Sequence, residues 1–140
     1  MSETLRPFHL AFPVRDLEEA RLWYSDILGC KIGRESADWI DFNLYGHQIV
    51  AHLCKESSIN YSNEVDGHNV PVRHFGVILT PSEWEKLRDD LVSKKINFTI
   101  KPNTRFKNSP GEQSTMFIKD PSGNALEFKS FKNDTMIFDK

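Results

Sequence analysis

Two stretches of the chain carry apolar residues at the spacing of an amphipathic helix. The first begins at Asp16, a good N-cap with Glu19 as its capping-box partner, and ends before Gly29. The second begins at Thr80, with Pro81 at the first helical position. The predicted buried faces are Leu17, Ala20, Tyr24, Ile27 and Leu28 in the first helix, and Trp84, Leu87 and Leu91 in the second.

The remaining apolar segments are short, alternate with polar residues, and predict strands. After the first helix they are "CKIGRES", "WIDFNLY" and "HQIVAHL", and after the second they are "NFTIKP", "STMFIKD" and "NALEFKSF". Each helix also follows an apolar strand that opens with a histidine, His9 or His74, so the pattern β-α-β-β-β repeats at an offset of 65 residues. Because sheets twist, we predict an α+β fold of two βαβββ modules whose sheets form a half-open barrel around a central cleft.

The repeat predicts one domain composed of two modules. Module one covers about residues 6–54 and module two about residues 73–131, followed by a tail at 132–140. The stretch at 55–72 is polar and aperiodic, and we interpret it as the linker. Its length is typical of a functional loop or a lid.

Composition narrows the class of protein. The chain has 140 residues, of which 39% are hydrophobic and 27% charged, as in an ordinary globular domain. A formal charge of −2 gives no reason to expect nucleic acid or an anionic membrane as partner. With no long apolar run and no signal-peptide pattern, we expect a cytoplasmic protein in which Cys30 and Cys54 are free thiols.

Three residues at equivalent or closing strand positions could share one site. His9 and His74 open the matching strands of the repeat, and Glu127 lies in the last strand with small neighbours on its own face. Two histidines and a carboxylate are the ligand set of non-haem Fe(II) sites, and they also suit Mn, Co, Ni or Zn. The alternatives are histidines that are satisfied in the core or on the surface, and a Glu127 that faces water or pairs with Lys129.

Three longer stretches carry a resemblance to a known superfamily. They are "FHLAFPVRDLEEARLWYSDILGCKIG", "RHFGVIL" and "DPSGNALEFKSF", which together extend from Phe8 to Phe131. The chain resembles the vicinal oxygen chelate superfamily, which includes glyoxalases, bleomycin-resistance proteins, fosfomycin-resistance enzymes and extradiol dioxygenases. The resemblance implies a homodimer with a divalent metal held by His9, His74 and Glu127, and a small-molecule substrate that binds through two neighbouring oxygens.

The fourth strand departs from the glyoxalase pattern, which places a glutamate there. This chain offers Gln48, Val50 or His52 on the relevant face, and none of these is an acid. We therefore favour an extradiol-dioxygenase-like enzyme with Fe(II), in which His52 is a further ligand, an acid–base group or a contact to dioxygen. Gln48, Arg105 and Gln113 are candidate substrate contacts. The alternatives are a glyoxalase-like lyase or isomerase and a non-catalytic drug-binding protein.

Overall fold

A computed structural model describes residues 4–55, 62–65 and 67–139. The chain divides into two compact units, of which the first comprises Met1–Ser58 with Asp120–Asn124 and the second Ile59–Lys119 with Ala125–Lys140. Each unit contains one four-stranded sheet with its connecting helix in βαβββ order. The predicted α+β class and its two modules are therefore confirmed, while the half-open barrel stays a prediction.

The first unit is built from four strands and one helical segment. In chain order these are β1 (His9–Val14), α1 (Leu17–Leu22), a π-helix (Trp23–Ile27), β2 (Lys31–Glu35), β3 (Trp39–Leu44) and β4 (His47–Leu53). The sheet order is β1-β4-β3-β2, with β1 parallel to β4 and the other pairs antiparallel. Parallel pairing of β1 with β4 sets His9 beside Gln48.

One face of this sheet is apolar and packs under the helix. Tyr24 is fully buried there, with its ring centroid 5.4 Å from that of Phe12 and 5.0 Å from that of Phe42. The predicted helix face is confirmed at Ala20, Tyr24 and Leu28, which are buried. The opposite face of the sheet is more polar and carries alternate residues, including His9 and Gln48.

The turn Asp120–Asn124 belongs to this first unit, although it joins two strands of the other sheet. The Asp120 carboxylate accepts hydrogen bonds from the Tyr24 hydroxyl at 2.8 Å and from the backbone N–H groups of Ser122 and Asn124. The Asn124 side chain also donates to the carbonyl of Pro13 at 2.7 Å. Burial raises the pKa of Asp120, although these hydrogen bonds oppose that shift.

The second unit begins with two short strands and continues with the repeated module. Its elements are β5 (Ser62–Val65), β6 (His68–Pro71), β7 (His74–Phe75), α2 (Pro81–Ser93), β8 (Ile100–Arg105), β9 (Gln113–Lys119), β10 (Ala125–Phe131) and a 3-10 helix (Asp134–Met136). The sheet order is β7-β10-β9-β8, which repeats the order of the first sheet. Only β7 and β10 are parallel.

The second helix has the start that the sequence predicts. Thr80 and Glu83 form a complete capping box, in which each side chain accepts a hydrogen bond from the other residue's backbone N–H. Trp84, Leu87 and Leu91 are buried as predicted, and the Trp84 indole donates to the Phe128 carbonyl at 2.9 Å. Among the described residues, no helix is both long and apolar enough to cross a membrane.

Part of the predicted linker forms a hairpin, which the sequence analysis did not predict. β5 and β6 pair antiparallel around Gly67, whose φ of +78° suits a tight turn. Val70 is buried in a cluster with Ile100 of β8 and Phe117 of β9. Val70 therefore packs the hairpin against the sheet of its own unit.

Candidate functional site

The second sheet has a polar face, opposite the face that packs under α2. We use this term for the side chains of His74, Gln113, Thr115, Phe117, Glu127, Lys129 and Arg105, which alternation and register assign to one face. Glu127 lies directly opposite Phe117, and His74 pairs with Ala125, two residues before Glu127. The strand register thus brings two of the three predicted metal ligands together.

His74 and Glu127 form a close pair on this face. The Nε2 atom of His74 lies 3.3 Å from Oε1 of Glu127, and the Glu127 side chain is only 7% exposed. The Nδ1 atom of His74 lies 2.7 Å from the Pro71 carbonyl oxygen. Because a carbonyl oxygen can only accept, Nδ1 carries a hydrogen, and Nε2 is the ring atom that faces the carboxylate.

The charge of this pair follows from its neighbours. Burial alone would raise the pKa of Glu127, but hydrogen bonds from His74 and Thr115 and the charge of Lys129 outweigh it and lower that pKa. The hydrogen bond to Glu127 raises the pKa of His74, against the lowering effect of burial. Glu127 is therefore a buried carboxylate, and the alternative that it faces water is wrong. Lys129 does contact it, with Nζ 3.9 Å from Oε1.

Thr115 is a neighbour of Glu127 that the sequence analysis missed. Its hydroxyl donates to Oε2 of Glu127 at 2.5 Å, and its side chain is buried. Oε1 is left to face His74 and Lys129. Alternation along β9 could have identified Thr115, because Glu127 and Thr115 occupy the same face of adjacent strands.

His9, the third predicted ligand, lies in the first unit and has a polar support of its own. Its Nδ1 atom is 2.7 Å from Oε1 of Gln48, and Nε2 of Gln48 donates to Asp41 at 3.2 Å. Since the Asp41 carboxylate takes the amide hydrogen, the Gln48 oxygen faces His9 and accepts its Nδ1–H. Asp41 is 8% exposed, and sequence reasoning missed it because no face was assigned to β3.

The two histidines therefore share one arrangement, each within its own unit. Each donates Nδ1–H to a fixed oxygen, of Gln48 for His9 and of Pro71 for His74. Metal-binding histidines in proteins usually donate their second nitrogen in this way, which fixes the ring and leaves Nε2 as the metal-binding atom. In His74 a metal would replace the Nε2 hydrogen that is donated to Glu127. The hydrogen bonds of His9 and His74 therefore fit the binding of a divalent ion. Within either unit, the described residues include no group of three His, Cys, Asp or Glu side chains that could hold a metal.

Comparison with known proteins decides the family. Residues 6–128 match the Glyoxalase/Bleomycin resistance protein/Dioxygenase superfamily. The chain belongs to this superfamily. The predicted resemblance is confirmed, since the superfamily match covers most of the chain. No curated protein matches the chain.

Solved structures of this superfamily share the fold. A glyoxalase/bleomycin resistance protein/dioxygenase from Alicyclobacillus acidocaldarius is 34% identical, with a TM-score of 0.80 over 99% of this chain and 100% of that one. A lactoylglutathione lyase from Agrobacterium tumefaciens is 17% identical, with a TM-score of 0.67 over 99% and 100% of the two chains. A fosfomycin resistance protein from Listeria monocytogenes is 12% identical, with a TM-score of 0.68 over 98% and 100%. The two more distant likenesses concern the fold alone.

The other predicted site residues of this superfamily member lie on both units. His52 is exposed on β4 and pairs in register with Pro13 and Trp39. Gln48, predicted as a substrate contact, is engaged by His9 and Asp41. In the second unit, Arg105 and Gln113 are directly opposite each other on β8 and β9.

Proposed function

We propose that the protein is a divalent-metal-dependent enzyme of extradiol-dioxygenase type. Its metal ligands would be Nε2 of His9, Nε2 of His74 and the Glu127 carboxylate, with Fe(II) favoured and Mn, Ni, Co or Zn as alternatives. The observation that supports this proposal is the shared tautomer, because both histidines donate Nδ1–H to a fixed oxygen. A histidine that only fills space does not need a hydrogen bond that fixes its Nδ1–H, and here both histidines make such a bond.

The chain's own residues prepare these ligands before any ion binds. The Pro71 carbonyl fixes the ring of His74, and the Thr115 hydroxyl holds one oxygen of Glu127. The lowered pKa of Glu127 keeps its carboxylate ionised at neutral pH, as metal binding requires. A bound divalent metal would supply Lewis-acid chemistry and a docking point for two neighbouring substrate oxygens.

The fourth strand favours a dioxygenase over an isomerase. Isomerisation of a glyoxalase substrate needs a base beside the reacting carbon, and β4 offers Gln48, Val50 and His52 on the relevant face. The Gln48 amide is neutral and is already bonded to His9 and Asp41. Of these three residues, His52 carries the side chain that can act as an acid or a base, and we assign it the acid–base role toward a substrate hydroxyl.

The assembly and location of the protein belong to the same proposal. A small molecule is the substrate, and the working state is a homodimer, as the superfamily resemblance implies. We place the protein in the cytoplasm. Size-exclusion chromatography with light scattering tests the dimer directly.

Metal content tests the proposed ligand set. We would purify the protein without a histidine tag, reconstitute it anaerobically with Fe(II), and measure bound metal by elemental analysis. The variants His9→Gln, His74→Gln and Glu127→Gln should each lose the metal that the native chain binds. His68→Gln is the matched control, because His68 is an exposed histidine outside the proposed ligand set, and it should retain the metal.

Oxygen consumption then tests the reaction. With catechol-like substrates, the iron-loaded protein should consume dioxygen, and the three ligand variants should not. Metal binding without oxygen uptake, but with anaerobic turnover of α-keto or thiol-adduct substrates, would favour the glyoxalase-like alternative. Failure to bind any divalent metal after reconstitution would contradict the enzyme proposal and favour a drug-binding protein.

A further inference from the structure

Arg105 lies at the end of β8 with an unsatisfied hydrogen-bond donor. Its Nε atom is shielded from solvent and has no hydrogen-bond partner among the described residues. The guanidinium carbon lies 5.6 Å from the ring centroid of Phe106. A buried donor without a partner destabilises the fold, so native proteins rarely leave one unless a water, ion or ligand satisfies it.

Other arginines in the chain show that this situation is specific to Arg105. Three arginines of the described chain are half-buried: Arg21, Arg88 and Arg105. Arg21 forms ion pairs with Glu18 and Glu35, and Arg88 pairs with Asp89 at 3.0 Å. Arg105 forms no ion pair with any residue that the structure describes. Its guanidinium is therefore free to bind an external anion.

The surroundings of Arg105 suit an anion with a planar fork of acceptors. Gln113 lies directly opposite Arg105 in the strand register, and its amide nitrogen donates one hydrogen to the Gly111 carbonyl at 3.2 Å, which leaves the second hydrogen for a ligand. A guanidinium that stacks on an aromatic ring keeps its edges available, and those edges bind a carboxylate through two parallel hydrogen bonds. Lys129 adds positive charge on the polar face, and Glu127, whose carboxylate lies 3.9 Å from the Lys129 ammonium, is the acidic residue there.

Register also gives the distance from Arg105 to the His74–Glu127 pair. Arg105 is level with Gln113, and Glu127 is level with Phe117, four residues farther along β9. Four residues of strand span about 13 Å, and β8 and β10 lie on opposite sides of β9 at roughly 5 Å each, so the Cα atoms of Arg105 and Glu127 are about 16 Å apart. The long Arg105 and Glu127 side chains can close part of that distance. The remaining gap suits a small aromatic or short-chain acid.

We infer that Arg105, assisted by Gln113, binds a carboxylate of the substrate. The inference deepens the proposed function, because it identifies the substrate class as a small organic acid whose neighbouring oxygens lie away from its carboxylate. Binding of the carboxylate needs no metal, so it can be measured whether or not the proposed reaction takes place.

The experiment compares acids with their neutral amides in metal-free protein. Protein treated with a chelator is titrated with 3,4-dihydroxybenzoate and 3,4-dihydroxybenzamide, and with benzoate and benzamide, while amide resonances are followed by NMR. We expect the native protein to bind each acid on the order of 10- to 100-fold more tightly than its amide. Arg105→Gln should remove this preference and leave the amide affinity unchanged.

Two further variants complete the test. Arg88→Gln is the control, because Arg88 is half-buried and paired with Asp89 on α2, and it should keep the full preference for acids. Arg105→Lys keeps the charge without the fork and should retain only part of the preference, which also guards against misfolding of Arg105→Gln. Absence of a preference in the native protein, or its survival in Arg105→Gln, would overturn the inference. A preference that depends on Arg105 without oxygen consumption would instead count against the proposed reaction alone.

Discussion

The backbone at Gly76 passes directly against that of Glu127. A Cβ atom at position 76 would lie 1.5 Å from the Glu127 carbonyl oxygen and 2.6 Å from its carbonyl carbon. Neither atom can move away without displacing β10, the strand that carries Glu127. Only glycine therefore allows this approach of the two chain segments.

Gly76→Ala is expected to destabilise the protein by about 3 kcal/mol or more, because the overlap is with backbone and cannot be relieved by a rotamer change. Urea unfolding followed by tryptophan fluorescence measures this loss. The matched control is Gly33→Ala, another strand glycine, where the new Cβ would meet the Asp41 Cβ at 3.3 Å. A loss for Gly76→Ala no larger than that for Gly33→Ala would contradict the close approach.

Thr115 should matter through its hydroxyl. Thr115→Val removes the donor to Oε2 of Glu127 and leaves a buried carboxylate oxygen without that partner. We expect a loss of about 1.5–3 kcal/mol in unfolding free energy, together with weaker metal binding. Thr115→Ser keeps the hydroxyl and should lose much less of both quantities. Equal effects of the two substitutions would mean that the methyl group, and not the hydrogen bond, is what the site needs.

The two thiols should differ in reactivity. Burial raises the pKa of Cys30 to about 12, so this thiol stays protonated near neutral pH, whereas Cys54 is exposed. In native protein at pH 8, Ellman's reagent should modify one thiol per chain, and both should react after denaturation. Cys54→Ser should abolish the native reaction. Rapid modification of two thiols in the native protein would show that Cys30 is accessible.

The capping box of α2 should contribute a measurable part of the stability. Thr80→Ala removes the side-chain oxygen that accepts the Glu83 N–H, and we expect a loss of about 1 kcal/mol. Thermal unfolding monitored by circular dichroism provides the measurement. Thr80→Ser, which keeps the accepting hydroxyl oxygen, is the control and should have little effect. Similar losses of stability in both variants would show that the hydrogen bond of the cap is not the cause.

Glu83 gives this cap a pH dependence. Hydrogen bonds from the Thr80 backbone and side chain lower the pKa of Glu83 from its usual 4.5. A carboxyl whose pKa is lower in the folded state stabilises the fold above its unfolded pKa and loses that effect as pH falls through the folded pKa. The stability difference between native protein and Glu83→Ala should therefore be present at pH 7 and shrink below pH 4. A difference that is constant from pH 7 to pH 3 would contradict this assignment.

The helices could be predicted from the sequence where their capping residues and the spacing of their apolar residues agreed with how they pack in the structure. The start of α2 has three independent indicators at Thr80, Pro81 and Glu83, and all describe the observed helix. The first helix has weaker signals. It begins after the predicted N-cap Asp16 and ends before Gly29, but its second half is not a regular α-helix. Glu19 binds Arg15 and does not complete a capping box, and a π-helix follows at Trp23–Ile27. Nothing in the spacing of apolar residues distinguishes one extra residue per turn from a regular helix.

The sequence predicted Glu127 as a candidate site residue, but it did not predict the residues that hold the site residues in place through hydrogen bonds. Glu127 drew attention as a carboxylate within an apolar strand, and it is indeed buried. Its neighbour Thr115 and the Asp41 behind Gln48 depend on how strands pair, which a single sequence does not specify. The hairpin β5–β6 was not predicted for a related reason, since its short polar strands resemble a loop, and its packing through Val70 depends on Ile100 and Phe117, which are distant in the sequence.

The turn at Asp120–Asn124 affects the order in which parts of the chain can fold during synthesis. The Tyr24 hydroxyl, buried in the first unit, donates to Asp120, which lies 96 residues farther along the sequence. During synthesis, nearly the whole second module must leave the ribosome before this acceptor arrives. The first module therefore emerges with a core tyrosine that still lacks its partner, and its completion waits for the final strands of the polypeptide. A truncated first module should consequently be a poor substitute for the same residues within the full-length chain.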